Sequence, residues 1–269
     1  MKELIKLIYE QINHIELIYK LAIYNVKSQY TNHYLGVFWN FLQPMLQVGL
    51  YYLVFGMGLR GTHADVNGIP YIVVLISGLF PWLFISQSIM AGSSAIQSKL
   101  SLVTKMKFPS STLLSISFTN ALINLLTTSS IILIISLFYQ LVPIWHYLFL
   151  LYFIFSSYML IFGISLIMST LVILIRDTKN ILQNVMRMGF FLTPIFWTVE
   201  NANHIMRKIS DLNPFSYLIN IYRVTFINPN MNYLGNVYDH LYFWSLTILI
   251  LFIGARIHFK FRNKLVDYL

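Results

Sequence analysis

K-L-S-L-V-T-K-M-K-F-P, residues 99–109, is a short basic stretch set between two long apolar runs, residues 71–95 and 112–138. A helix needs about 20 residues to cross a hydrocarbon core, and each run is long enough. The stretch therefore reads as a turn between two membrane-spanning helices. Its three lysines, Lys99, Lys105 and Lys107, put it on the cytoplasmic side, where short loops concentrate basic residues. Leu100, Val103 and Met106 recur at helical spacing, which fits a short amphipathic helix on the membrane surface. This stretch alone leaves two readings open: a charged loop that only fixes orientation, and a knob gripped by a soluble partner.

Composition agrees with a membrane protein. The chain has 269 residues, 57% of them hydrophobic and 10% charged, and a mean hydropathy of +0.68. A soluble domain carries about 25% charged residues. The net charge of +9 would suit a nucleic-acid binder. Here the basic residues sit in short clusters between apolar runs, so membrane orientation explains them and no nucleic-acid partner is expected. There is no cysteine, hence no disulfide framework and no thiolate chemistry.

Taken in order, residues 1–34 read as an amphipathic interface helix. Glu3, Lys6, Glu10, Asn13, Glu16 and Lys20 lie along one face, and Leu4, Ile8, Ile12, Ile15, Tyr19 and Ala22 along the other. Six spans follow, at residues 36–58, 71–95, 112–138, 147–175, 181–199 and 241–259. A basic tail, residues 260–269, ends the chain. Arg176 and Asp177 form a second tight cytoplasmic turn. Residues 215–227 are apolar but number about 13, too few to span, so they are expected to re-enter or lie at the outer surface. This arrangement leaves Arg60, Arg207, Lys208 and Arg223 outside and both termini in the cytoplasm. The fold class expected is an all-α polytopic membrane protein.

Several chemistries find no support. Residues 56–61 spell G-x-G-x-x-G, but neither a strand nor a βαβ unit surrounds them. A Walker A lysine motif and metal-ligand spacings do not occur, so neither ATP nor a metal is expected on this chain. None of the nine carboxylates falls deep in a span, which disfavours a proton-driven carrier.

The spans are not uniformly apolar. Ser117, Asn120, Asn124 and Thr128 form a polar stripe in the third, either as glue between helices or as the wall of a polar passage. Trp82 lies deep in the second, flanked by Phe80 and Phe84, whose rings suit stacking on sugars. Arg187 lies inside the fifth, placed either to snorkel or to meet an anion at a cytoplasmic entrance. Gln43 and Gln47, four apart, share a face of the first.

At this point the chain resembles a known family. The residues are Tyr34-Leu35-Gly36-Val37-Phe38-Trp39 leading to Leu42-Gln43-Pro44, then Gly78-Leu79-Phe80-Pro81-Trp82, then Lys105-Met106-Lys107-Phe108-Pro109. Arg176-Asp177, Phe191-Leu192-Thr193-Pro194-Ile195-Phe196-Trp197 and Asn213-Pro214-Phe215 complete the set. Together they look like the membrane subunit of an ABC-2 type polysaccharide exporter, nearest to wall teichoic acid permeases. O-antigen and capsule permeases share the same segments.

The resemblance implies a single membrane domain over residues 1–269, in a bacterial cytoplasmic membrane, with re-entrant helices before the last span. It implies a homodimer with two copies of an ABC ATPase, which would hold the ATP and magnesium. The coupling helix would be residues 99–108, and Arg176 and Asp177 would lie in the second coupling turn. The cargo would be a polymer on undecaprenyl diphosphate, teichoic acid-like first and an O-antigen or capsule polysaccharide as the alternative. Rivals are a drug or small-lipid permease and, more remotely, a polyprenyl-phosphate transferase, for which Asp177 offers the only candidate group.

Overall fold

The computed structural model describes residues 2–30, 34–58, 65–66, 68–99, 108–175, 177–197, 199, 202–228 and 235–262. Helices α4 (Tyr71–Ser98), α5 (Ser110–Phe138), α6 (Phe149–Leu174) and α10 (Val237–Phe261) form the bundle. A 3-10 turn extends α6 back to Ile144, and all four helices are long and apolar enough to cross a membrane. α4 is apolar all round, as a helix must be if it is covered on every side. Its most apolar window is 78% buried, against 22% for α10, so α4 is the axis and α10 the periphery. α5 and α6 pack along α4, and α10 packs along α6. The last pair approaches closely: a Cβ on Gly254 would lie 2.8 Å from the Gly163 carbonyl oxygen. Small residues at such a crossing let two membrane helices meet backbone to backbone.

Two expected spans take a different form. Residues 36–58 are not one regular helix. A 3-10 turn (Gly36–Phe38) leads into α3 (Trp39–Tyr51), and a π-helical segment (Tyr52–Gly58) follows. The expected span 181–199 becomes α7 (Thr178–Leu192), which at 15 residues measures about 22 Å. It stops there because Pro194 has no N–H to continue the ladder and holds Thr193 extended, at φ −89° and ψ 143°.

After α7 come α8 (His204–Leu212) and α9 (Pro214–Phe226). Asn213 caps α9, its side-chain oxygen accepting from the Phe215 N–H at 3.0 Å, with Pro214 in the first turn. α9 packs against α4 and α6, and Leu218, Ile219, Ile221, Tyr222 and Val224 are buried. Arg223, read from the sequence as an outer-loop base, is buried as well. Its Nε donates to Ser77 Oγ at 3.4 Å and its guanidinium to the Ile195 carbonyl at 3.2 Å. Among the described residues no carboxylate pairs with it.

The amphipathic start forms two helices, α1 (Lys2–Asn13) and α2 (Ile15–Tyr30). Ile8, Ile12, Ile15 and Tyr19 stay exposed, as a lipid-facing row would. Ala22, placed on the same row by periodicity, is instead buried, with Leu7 and Ile18. Glu10, assigned to the polar face, turns inward. Its carboxylate accepts from Ser111 Oγ and from the Arg262 guanidinium, each at 2.7 Å. Polar ends of α5 and α10 meet there, and an acidic side chain is what satisfies them.

Candidate functional site

α3, α4, α5 and α7 border an open-sided cavity of about 1060 Å³. Each helix supplies an amide. Asn40, Gln43 and Gln47 stand three and four residues apart and so share one face of α3. Gln87 comes from α4, Asn124 from α5 and Gln183 from α7. Asn124 Nδ2 donates to Gln87 Oε1 at 3.4 Å, a long bond that leaves both amides largely free to bond elsewhere. Arg187, four residues after Gln183 on the same face of α7, is the one lining cation among the described residues. Among the described residues no carboxylate lines the cavity.

Such a lining offers donors and acceptors without strong charge. It can exchange hydrogen bonds with hydroxyl-rich groups as water does, because each amide both donates and accepts. Sparse cations let an anionic group pass without being held.

The structure gathers most of the expected passage residues here. Phe80, Trp82, Phe84, Asn124, Thr128 and Arg187 all line the cavity. The three aromatics are nonetheless packed as wall: Phe80, Trp82 and Phe84 are 2%, 3% and 2% exposed. Trp82 meets Phe215 edge-on at 5.9 Å, and a Cβ on Gly189 would lie 2.8 Å from its ring. Phe84 packs against Phe118 and Phe153. The most exposed aromatic residues of the lining are Trp39, 40% exposed, and Phe191, 57% exposed.

Ser117 and Asn120 lie outside the lining. The Ser117 hydroxyl donates back to the Leu113 carbonyl at 3.1 Å, and Asn120 Oδ1 is buried without a partner. The stripe on α5 thus divides at Asn124. The sequence reading missed Trp39, Asn40, Gln87, Gln183 and Phe191. The signal available was the spacing of amides on three separate helices, which becomes one surface only when those helices are assembled.

Of the residues expected to couple to an ATPase, Leu100, Val103, Lys105, Met106, Lys107 and Arg176 lie outside the described residues. Lys99 closes α4, its N–H donating to the Ile96 carbonyl at 3.2 Å. Phe108 packs on the cluster containing Ile96, Leu113 and Phe162, so it anchors the turn to the bundle rather than projecting away from it. Asp177 precedes α7 and is exposed, with no side-chain capping bond.

Comparison with known proteins fits this geometry. The family described as "ABC-2 type transporter" matches residues 16–227. An O-antigen export system permease protein of Myxococcus xanthus is 26% identical over 83% of this chain and 85% of its own length. Two proteins of that description from Klebsiella pneumoniae are each 25% identical, over 91% and 90% of this chain and 92% of their own lengths.

Proposed function

Because this chain belongs to the ABC-2 type transporter family, we propose that it is the membrane subunit of an ATP-driven exporter of lipid-linked polysaccharide. ABC-2 permeases act with an ABC ATPase, so the energy source is a separate chain. The observation that carries the proposal is the cavity itself, lined by amides of four helices and by the exposed aromatics Trp39 and Phe191, with one cation among the described residues. A glycan crossing a membrane needs groups that replace water along its path, and these do.

The assembly proposed is a homodimer with two ATPase copies and cytoplasmic termini. Support for the second copy lies beside the cavity. Met45, Leu46 and Leu50 on α3, and Val185, Met188 and Leu192 on α7, are exposed apolar side chains on two of the helices that border it. A second copy would cover them and close the passage. α3 with its π-helical extension, and α7 continued by residues 193–197, would complete six crossings. α8 and α9 would form the outer re-entrant pair.

The cargo proposed is an O-antigen-like polysaccharide carried on undecaprenyl diphosphate, moved from the inner to the outer leaflet. The relatives named above carry the O-antigen description, which puts this cargo ahead of a teichoic acid. Arg187 would meet the diphosphate near the cytoplasmic side.

Reconstitution tests this. Proteoliposomes holding the chain with its ATPase should hydrolyse ATP and move a labelled lipid-linked glycan across the bilayer. The chain alone should do neither, and nucleotide turnover by the chain alone would refute the assignment.

A further inference from the structure

A second cavity, of about 420 Å³, lies at the outer end of the bundle between α8, the start of α9 and the start of α10. Its volume falls within the range of about 300–1,000 Å³ usual for small-ligand pockets. It is separate from the cavity already described and shares no residue with it.

Its lining has a definite chemistry. Asp211 and Asn220 present a carboxylate and an amide, and Tyr242, 38% exposed, presents aromatic surface, while Phe243 is fully buried. Neither Asp211 nor Asn220 makes a side-chain hydrogen bond among the described residues. Other lining groups are committed to the fold. Asp239 Oδ2 accepts from the Asn236 N–H at 2.7 Å, and the Tyr242 hydroxyl donates to the Leu212 carbonyl at 2.9 Å. Arg207 Nε donates to the Val199 carbonyl at 2.9 Å.

The independent observation is Ser216. Ser216 lines the cavity and is 2% exposed, and its buried hydroxyl has no hydrogen-bond partner among the described residues. An unmade bond at that depth is unfavourable, and most buried hydroxyls find a partner. A ligand hydroxyl would supply one.

A carboxylate and an amide beside an aromatic face are suited to sugars. Vicinal hydroxyls donate to the first two, and the C–H face of the ring packs on the third. Two carboxylates against one guanidinium disfavour a phosphate-rich chain. We infer that this pocket is an outer-face subsite for one or two uncharged sugar units of the exported polymer, with Ser216, Asn220 and Asp211 as its hydrogen-bonding groups. The inference rests on the polysaccharide-export reading and adds a second sugar contact, beyond the passage.

Full-length chain in nanodiscs would be titrated with uncharged di- and trisaccharides of hexose, deoxyhexose and N-acetylhexosamine, and with a glycerol-phosphate trimer. Saturation-transfer NMR would report the contacts. The inference requires binding of an uncharged sugar, weakened about tenfold or more by Asn220→Ala and by Ser216→Leu, which fills the space. Melting temperature identifies any variant that has unfolded, and Asp211→Asn at the exposed rim provides a third test. Failure of the whole sugar panel to bind, preference for glycerol phosphate, or unchanged binding in folded variants would each overturn it. Polymer export by the complete transporter is measured separately. Export with no sugar binding sinks the subsite alone, whereas absence of export refutes the export reading itself.

Discussion

The side-chain amide of Asn213 donates to the Thr193 hydroxyl at 2.9 Å, joining two segments twenty residues apart in the chain. Thr193 stands where Pro194 ends α7, and Asn213 stands where Pro214 begins α9. Each proline forces a break in the helical path, and the hydrogen bond ties the two breaks together. Just beyond Thr193, the Ile195 carbonyl accepts from Arg223 of α9. The end of α7 is therefore fastened to α9 at both Thr193 and Ile195.

This fastening predicts graded losses. Asn213→Ala removes both the cap of α9 and the bond to Thr193, at about 1 kcal/mol each. Asn213→Asp keeps an acceptor for the Phe215 N–H but cannot donate to Thr193 when ionised, so about half the loss is expected. Melting in detergent would order the three proteins as wild type, Asp, Ala. Equal melting of wild type and Asn213→Ala would mean the clasp contributes nothing.

The long spans were legible because hydrophobic runs of more than 20 residues have one stable solution in lipid. Residues 71–95 and 112–138, read from composition, correspond to α4 and α5. The shorter pieces were not legible. The run 181–199 looks continuous in hydropathy, but a backbone rule acting at Thr193-Pro194 outweighs it. Ala22 and Glu10 went to the wrong faces because helical periodicity says which residues share a side, not what that side meets. The cavity was half legible: Asn124 and Arg187 stand out as polar groups in apolar surroundings. Gln87 and Gln183 became part of it only through packing. Phe80, Trp82 and Phe84 drew attention as aromatics, and aromatics fill walls as readily as they line paths.

The contact of α1 with the end of α10 supplies a second prediction. Glu10 and Arg262 form an ion pair at 2.7 Å, with side chains only 12% and 26% exposed. Because water reaches part of the pair, its own contribution is modest, about 1 kcal/mol. Glu10→Gln leaves Arg262 without its carboxylate and weakens the bond from Ser111. A loss of about 1–2 kcal/mol is expected. A double-mutant cycle with Arg262→Gln would show non-additive effects, and simple additivity would mean the two act independently.

The same region carries a third. Ile8 and Ile12 are exposed on α1, while Leu7 beside them is buried against the bundle. Ile8→Lys or Ile12→Lys puts a charge where the proposed lipid contact lies and should raise solvent labelling along residues 3–20. Melting should change little, because neither side chain packs on protein. Unchanged labelling would show that α1 is held by the bundle alone.

The proposed coupling turn gives a fourth. Phe108 anchors one end inside the bundle, and Lys99 closes the helix at the other. Between them lie residues 100–107, whose sequence carries Leu100, Val103 and Met106 at helical spacing. Val103→Asp and Met106→Asp should uncouple ATP hydrolysis from transport while the permease still folds. Phe108→Ala should instead lower melting temperature, since it empties a packed site. Transport surviving both Asp variants would return residues 99–109 to the role of a charged loop that only sets orientation.

The division of the α5 stripe gives the sharpest test of the passage. Asn124 lines the cavity and shares its hydrogen bond with Gln87, also a lining residue. Asn120, one turn earlier, lies outside the lining with its Oδ1 buried and unpaired. If both were glue between helices, leucine at either position would lower melting temperature and transport together. The geometry predicts a split. Asn120→Leu removes an unsatisfied polar atom and should leave stability unchanged or slightly raised, with transport intact. Asn124→Leu places an apolar side chain on the proposed glycan path and should cut flux with little change in melting. Trp82→Leu should behave differently from both, because its ring is wall packing between Phe190 and Phe215. It should lose about 2–4 kcal/mol of stability and reduce flux only through that loss. Melting temperature and polymer flux measured on the same three variants separate these outcomes. Parallel losses at Asn120 and Asn124 would remove the argument for a passage along α5.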